Sequence, residues 1–99
     1  MSEQPEIVCI CGSMRFADDL RRAHRDLTVS GLIALMPAEI DGEVTSDQKA
    51  MLDALHLRKI DLADRVLVVN PGGYIGESTR SEIAYAHATD TPVSFTDPL

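Results

Sequence analysis

The chain has 99 residues, of which 44% are hydrophobic and 25% are charged, and its formal net charge is −7. This length suits a single domain over residues 1–99 with one hydrophobic core, and it leaves no room for a second domain. The acidic balance argues against nucleic acid as a partner, because tracking a phosphate backbone needs a basic stripe and the nine Lys and Arg residues are scattered along the chain.

The hydrophobic residues are spread over short segments. No apolar run approaches the roughly 20 residues that a membrane-spanning helix needs. Residues 1–6 are too polar to begin a signal peptide. We therefore expect a cytoplasmic protein with no membrane partner.

The first predicted strand lies in "EIVCICGS", residues 6–13, an apolar run that ends in Gly-Ser. Ser13 is the candidate N-cap of a helix over residues 14–31, and Gly31 is the candidate residue that ends it. The apolar stripe of this helix has helical spacing. It consists of Phe16, Leu20, Ala23 and Leu27.

Cysteine and histidine spacing gives no sign of a disulfide or a metal site. Cys9 and Cys11 are two residues apart, so both thiols lie on one face of the first strand, and this spacing does not match a CxxC motif. His24, His56 and His87 are far apart and form no HxxxH pair. We predict buried free thiols, no bound metal and no cofactor.

The rest of the chain continues to alternate strands and helices. A second strand over residues 32–40 is cut short by Pro37, and a polar loop over 41–47 leads to a second helix over 48–64 with Ser46 or Asp47 as its candidate cap. The looser apolar face of this helix consists of Met51, Leu55, Ile60 and Leu62.

A third strand, a tight turn, a third helix and a fourth strand complete the predicted pattern. They cover residues 65–70, 71–73, 76–88 and 91–97. Alternating strands and helices predict an α/β fold, a small three-layer flavodoxin-like or Rossmann-like domain with a parallel sheet of about four strands.

Ligands of such sheets bind at the carboxyl ends of the strands, where the glycine-rich third loop lies. Its glycines and the residues that open the next helix offer backbone amides, hydroxyls and a guanidinium suited to one phosphate. These residues are Gly72, Gly73, Gly76, Ser78, Thr79 and Arg80. The alternative is an ordinary turn with a helix cap, and spacing alone does not separate the two.

Glu82 lies one helical turn beyond Ser78, so its carboxylate is placed behind the predicted anion site. The helix dipole favours an ionised carboxylate there, which suits a nucleophile or an electrostatic stabiliser. A general acid facing it would come from the second helix. The candidates are Asp53, His56, Lys59, Asp61 and Asp64. The alternative is a solvated charged face on both helices.

The turn after the first strand contributes a second group of candidates. Gly12 and Ser13 form the bend, Arg15 is a candidate partner of an anion, and Phe16 either stacks on a flat ring or anchors the core.

Three stretches, "CGSMRF", "LADRVLVVN" and above all "GESTRSEIAYA", resemble the nucleoside 2-deoxyribosyltransferase superfamily and its nucleotide N-glycosidase branch. The resemblance implies that Glu82 is the nucleophile that attacks the anomeric carbon of the sugar. It also implies that Ser78 and the amides around Gly76 hold a 5′-phosphate in the hydrolase branch, or the sugar hydroxyl in the transferase branch.

The chain departs from this family at two positions. Gly76 stands where the transferases carry an acidic residue that engages the 5′-hydroxyl, which favours a phosphate over a free nucleoside. His56 stands where the family places an aspartate, so His56, Asp53 or Asp61 is the candidate general acid, or catalysis is lost. "CGS" and "PGGYIGESTRSE" also resemble, more weakly, the Lonely Guy phosphoribohydrolases.

Our hypothesis from the sequence is a homodimeric N-glycosidase acting on a nucleoside 5′-monophosphate. Its predicted catalytic residues are Glu82, His56 and Asp61. Its predicted substrate-binding residues are Gly12, Ser13, Arg15, Phe16, Gly73, Gly76, Ser78, Thr79 and Arg80. The alternatives are a nucleoside 2-deoxyribosyltransferase and a non-catalytic nucleotide-binding module of the same fold.

Overall fold

The structure, a computed structural model, describes residues 4–99, and within them four parallel strands form one sheet in the order β2-β1-β3-β4. The strands are β1 (Ile7–Cys11), β2 (Ile33–Leu35), β3 (Arg65–Val68) and β4 (Val93–Phe95). The helices are α1 (Ala17–Val29), α2 (Ser46–Leu62) and α3 (Glu77–Ala88). The predicted α/β architecture is confirmed.

The sheet is covered by helices on both faces, which makes three layers. On one face, Leu20 of α1 packs against Ile10 and Val69. On the other, Ile60 of α2 and Ala86 of α3 pack in a single cluster with alternate residues of the two central strands. Those strand residues are Cys9, Cys11, Val66 and Val68. Both central strands therefore have little contact with water, as the continuous apolar runs predict.

The first helix begins later than predicted. Met14–Phe16 forms a short 3-10 turn, capped by the Ser13 hydroxyl, which accepts a hydrogen bond from the Arg15 backbone N–H at 3.3 Å. Regular α-helix starts only at Ala17, and Gly31 follows the helix with a φ of 88°. Ser13 and Gly31 thus have the predicted roles, whereas the predicted start at residue 14 is wrong because the first turn is the tighter 3-10 form.

The predicted cap of α2 is wrong. Neither Ser46 nor Asp47 caps the helix; Thr45 does, in a reciprocal capping box with Gln48. The Thr45 hydroxyl accepts a hydrogen bond from the Gln48 N–H, and the Gln48 side chain accepts one from the Thr45 N–H. Both backbone donors at this helix start are therefore satisfied.

The predicted apolar face of α2 is also wrong. Met51, Leu55 and Leu62 are 52%, 50% and 67% exposed, and the residues that α2 buries are His56 and Ile60. The buried stripe runs through a histidine, and a pattern based on apolar residues alone therefore selects a different side of the helix.

Hydrogen bonds join the glycine turn after β3 to Asp97 near the end of the chain. The Asn70 side chain is buried; its Nδ2 donates to the Asp97 carbonyl at 3.0 Å, and its Oδ1 accepts from the Asp97 N–H at 2.9 Å. The Gly72 N–H donates to the Asp97 carboxylate at 2.8 Å. Gly72 and Gly73 have φ values of 66° and 85°, a backbone conformation that favours glycine. Across residues 4–99, no helix has the length and hydrophobicity to cross a membrane.

Candidate functional site

A crevice of about 310 Å³ opens at the carboxyl edge of the sheet. In the sheet, β2 lies on one side of β1 and β3 lies on the other. The crevice is at the carboxyl ends of β1 and β3, where the strand order reverses. Ligands of open α/β sheets bind at this point. The crevice brings together six of the predicted site residues. They are Gly12, Ser13, Gly76, Ser78, Thr79 and Glu82.

The start of α3 forms one rim of the crevice. Gly76 is the N-cap residue, and no side chain within residues 4–99 caps this helix. The first backbone hydrogen bond of the helix runs from Arg80 N–H to Gly76 O at 3.0 Å. The N–H groups before it are the donors that every helix start leaves unused by its own ladder. Together with the helix dipole, they give this rim a positive potential suited to an anion.

Glu82 forms the floor of the crevice, and His56 lies behind it, on the wall of a neighbouring cavity that Glu82 also lines. Their side chains are 14% and 5% exposed, and Glu82 Oε1 lies 3.9 Å from His56 Nε2. Burial raises the pKa of the Glu82 carboxyl, against the opposing effects of the His56 charge and a hydrogen bond from the Cys11 thiol. Burial lowers the pKa of His56, but the hydrogen bond and charge of Cys9 outweigh it and the pKa is raised. Glu82 is thus a buried crevice carboxyl with a raised pKa, which marks it as a candidate functional residue.

Beneath this floor lie both cysteines, on one face of β1 as their spacing predicts. The Sγ atoms of Cys11 and Cys9 are 3.4 and 3.7 Å from His56 Nε2. The Cys11 hydrogen bond lowers the pKa of Cys9 to about 6 despite burial, with further help from His56. The same hydrogen bond and burial raise the pKa of Cys11.

The sequence analysis missed this cluster of Cys9, Cys11 and His56. The two cysteines and the histidine are separated by about 45 residues and match no local motif. His56 Nδ1 is also buried, with no hydrogen-bond partner in the part of the chain that the structure describes.

Arg15 and Phe16 lie beside the crevice and do not line it. The Arg15 guanidinium carbon lies 4.3 Å from the centre of the Tyr74 ring, and the Phe16 ring meets Tyr74 edge-on at 5.7 Å between centroids. Tyr74 itself is part of the crevice wall. Both residues therefore support a wall residue that the sequence analysis did not select.

Gly73 and Arg80 are also outside the crevice lining. A Cβ atom at Gly73 would lie 3.4 Å from the Pro98 carbonyl, which places this glycine against the chain end. Arg80 is exposed on α3. The predicted phosphate cradle is therefore reduced to Gly76 and the first turn of α3.

The two candidate aspartates of α2 lie on different sides of the helix. The Asp61 carboxylate accepts a hydrogen bond from Tyr85 OH at 2.6 Å and pairs with Arg58 at 3.0 Å, on the outer surface of the helix pair. Asp53 shares the crevice wall with Glu82 and is 3.2 Å from the Lys49 ammonium. Of the two aspartates, Asp53 is the one within the site.

No protein-family model matches the chain, and no curated protein matches it. Solved structures do. A 2-deoxyribosyltransferase from the psychrotolerant bacterium Bacillus psychrosaccharolyticus superposes on 94% of this chain and 76% of its own, with a TM-score of 0.72 and 14% identity. A conserved protein from Enterococcus faecalis V583 superposes on 93% of this chain and 63% of its own, with a TM-score of 0.65 and 20% identity. The chain thus has the fold of a 2-deoxyribosyltransferase.

Proposed function

We propose that the protein is an enzyme that cleaves the N-glycosidic bond of a nucleoside 5′-monophosphate, with Glu82 as the nucleophile. The observation that carries this proposal is the buried Glu82 carboxylate at the floor of the crevice, one helical turn behind an uncapped helix start. The fold shared with an enzyme that transfers 2-deoxyribosyl groups supports it. A sugar bound with its phosphate at the rim has its anomeric carbon directed toward the floor.

The chemistry follows the retaining logic of glycosidases. A Glu82 carboxylate oxygen bonds to C1′ as the bond from C1′ to the base nitrogen breaks, through a transition state with oxocarbenium character. The electron pair of the broken bond stays on the base, and water then attacks C1′ and releases Glu82. His56 positions the Glu82 carboxylate from 3.9 Å. Asp53, on the same crevice wall and paired with Lys49, is the proposed acceptor of the proton that the attacking water loses, while the leaving base takes its proton from solvent.

Gly76 and the first turn of α3 support the monophosphate as substrate. A phosphate carries more charge than a sugar hydroxyl, and it gains more from backbone amides and the helix dipole. Gly76 itself adds no carboxylate to the rim, where Glu77 beside it already carries one. Asp53 is balanced by Lys49 at 3.2 Å, which limits its repulsion of an anion.

The second candidate is transfer of the sugar to another base. The structural similarity to a 2-deoxyribosyltransferase favours it. A neighbouring cavity of about 520 Å³, which shares Asp53 and Glu82 with the crevice, has partly apolar walls that include Leu52 and Leu55. Planar bases bind well against such walls, so an acceptor base has a place next to Glu82.

The experiment is incubation with a panel of ribo- and deoxyribonucleosides and their 5′-monophosphates, with and without a second free base, followed by chromatography. We expect free base from at least one monophosphate, and a new nucleoside or nucleotide only if transfer occurs. Glu82→Gln is expected to lose product formation, whereas Glu43→Gln, at an exposed glutamate outside the crevice lining, is expected to retain it. Absence of product from the wild type, or equal turnover by Glu82→Gln, contradicts the proposal.

We also propose a homodimer. Met51, Leu55 and Leu62 leave α2 with apolar surface in water, and Leu55 and Leu62 border the larger cavity. A second copy covering this surface would bury it beside the site. Light scattering of the wild type and of Leu55→Glu is the test: the wild type is expected at twice the chain mass and the variant at the chain mass.

A further inference from the structure

Below the crevice floor, three side chains with metal-binding atoms converge from β1 and α2. We propose that Cys9, Cys11 and His56 bind one Zn²⁺ ion, with the fourth position open toward Glu82 and the crevice. Because this site is built from buried side chains and not from the sugar-binding rim, the inference goes beyond the proposed function and does not depend on it.

The distances fit a single small cation. The two Sγ atoms and a nitrogen of the His56 ring all lie within 4.8 Å of one another. A tetrahedral zinc, with Zn–S of about 2.3 Å and Zn–N of about 2.0 Å, sets its ligand atoms about 3.5 to 3.8 Å apart. The distances from Nε2 to the sulfurs are 3.4 and 3.7 Å. The three atoms thus need only small side-chain rotations to become ligands.

The fourth position is on the Glu82 side. Glu82 Oε1 lies 3.9 Å from His56 Nε2, and it is the least buried of the four side chains. His56 and Glu82 both border the larger cavity, which gives an ion a route in from solvent. Three protein ligands and one accessible position are the arrangement of an exchangeable zinc site.

The chemical type of the three ligand atoms determines which metal ion binds best. Two thiolates and an imidazole are soft and borderline ligands, which favour Zn²⁺ over Mg²⁺ or Ca²⁺. Binding forms two Zn–S bonds and one Zn–N bond, and every proton carried by the two thiols and by His56 Nε2 is released to buffer. No oxidant or reductant takes part in this exchange.

Rigid elements hold the ligands in place. β1 is a central strand, and α2 is anchored on the sheet by Ile60, which is fully buried one turn after His56. The absence of a partner for His56 Nδ1 within residues 4–99 limits the affinity. Zinc-binding histidines are usually held by such a partner, whose loss weakens binding by about 10- to 100-fold. We therefore expect a dissociation constant below micromolar but above those of structural zinc sites.

The test is titration of the reduced wild-type chain with Co²⁺, a spectroscopic substitute for Zn²⁺. We expect one ion per chain, with the absorption of tetrahedral cobalt and a thiolate-to-cobalt charge-transfer band, and full displacement by one equivalent of Zn²⁺. Cys11→Ser, Cys9→Ser and His56→Gln are each expected to weaken binding at least about 100-fold, as expected for loss of one of three ligands. His24→Gln and His87→Gln, which change histidines outside the cluster, are the matched controls and are expected to bind as the wild type does.

Circular dichroism of every variant checks its fold, and Glu82→Gln provides a variant that keeps all three proposed ligands. It is expected to retain the charge-transfer band. Weak binding without that band, or binding that the His24 or His87 variant loses, overturns the proposal. A chain that binds cobalt through its thiols but releases no base retains the zinc site and contradicts the proposed function, so the two failures are distinct.

Discussion

β1 contributes residues to both faces of the sheet, and the side chains that these residues contact differ in polarity between the two faces. Under α1, Ile10 packs with Leu20 and Val69, and all three are apolar. Under α2 and α3, Cys9 and Cys11 meet His56 and Glu82, a set of polar and ionisable groups that is largely buried. Alternation along β1 assigns neighbouring residues to the two faces. The α1 face is apolar throughout, whereas the α2–α3 face carries this polar cluster beside an apolar core of Ile60, Val66, Val68 and Ala86.

This difference predicts opposite responses to substitution. Removing an apolar side chain from a packed face leaves a cavity and costs folding free energy. Replacing a buried ionisable group with a neutral one of similar shape removes a desolvation cost, provided that no charged partner is left unpaired. Substitutions of the apolar α1-face residues should therefore change the free energy of unfolding, and those of the polar cluster should change turnover and metal binding.

The largest expected effect is the loss of turnover in Glu82→Gln. Removing the nucleophile should lower kcat by at least about 10³-fold, as losses of catalytic nucleophiles do. Burial raises the pKa of Glu82, so its ionised form costs folding free energy at neutral pH, and the neutral amide removes that cost. The free energy of unfolding should stay the same or rise. Base-release kinetics and urea denaturation of the same preparation test both parts, and a clear loss of stability would break the comparison.

Leu20→Ala is expected to show the opposite pattern. Leu20 is fully buried against Ile10 and Val69, and its truncation should cost about 3 kcal/mol of unfolding free energy. The folded fraction should still bind Co²⁺ with the affinity of the wild type, because no proposed ligand lies on this face. Denaturation and cobalt titration measure the two quantities. Val29→Ala, at an exposed position of the same helix, is the control and should change the unfolding free energy little.

The same difference in polarity explains how well the sequence predicts the buried residues of α1 and α2. Unbroken periodicity predicted three of the four stripe residues of α1 correctly, since Leu20, Ala23 and Leu27 face the core, whereas Phe16 packs on Tyr74. On α2, Ile60 is buried as predicted, but the other three residues of the predicted face are exposed, because the buried stripe passes through His56 and a polar residue does not count toward a hydrophobic stripe. Thr45 and Gln48 did carry a recognisable signal, the capping-box spacing.

The site was predictable in part. Strand-end logic placed Gly12, Ser13 and Gly76 around one crevice, and helical spacing placed Glu82 one turn behind Ser78. The choice between Asp53 and Asp61 was not available from spacing, because it depends on how α2 is rotated against α3. Cys9, Cys11 and His56 meet only through tertiary packing, and no motif describes that meeting.

Gly76 tests whether the rim of the crevice belongs to the functional face. Aspartate and asparagine at this position both cap a helix, and a Cβ atom here would lie 3.5 Å from the Tyr74 hydroxyl, an ordinary contact. Gly76→Asp adds a negative charge that Gly76→Asn does not. We expect Gly76→Asp to raise KM for a 5′-monophosphate about fivefold more than Gly76→Asn, since one charge near a helix start contributes about 1 kcal/mol.

The nucleoside is the control substrate for this pair. Because it carries no phosphate, its KM should be similar in the two variants, and the ratio of nucleoside to nucleotide turnover should rise in Gly76→Asp. Steady-state kinetics with both substrates measure this ratio. An equal effect of the two substitutions on the monophosphate would place the phosphate elsewhere, and the rim would then be structural like the α1 face.

The smallest expected effect is on stability in His56→Leu, and it separates the two faces most sharply. Leucine has nearly the volume of histidine, and it removes the buried Nδ1 that has no partner within residues 4–99. Loss of the Nε2 contacts to the two sulfurs offsets this gain. The free energy of unfolding should change by less than about 1 kcal/mol, because removal of this Nδ1 offsets loss of the Nε2 contacts to the sulfurs and of the long 3.9 Å contact to Glu82. Thermal and urea denaturation measure the change. A loss as large as that of Leu20→Ala would mean that the polar cluster stabilises the fold, and the contrast between the faces would no longer hold.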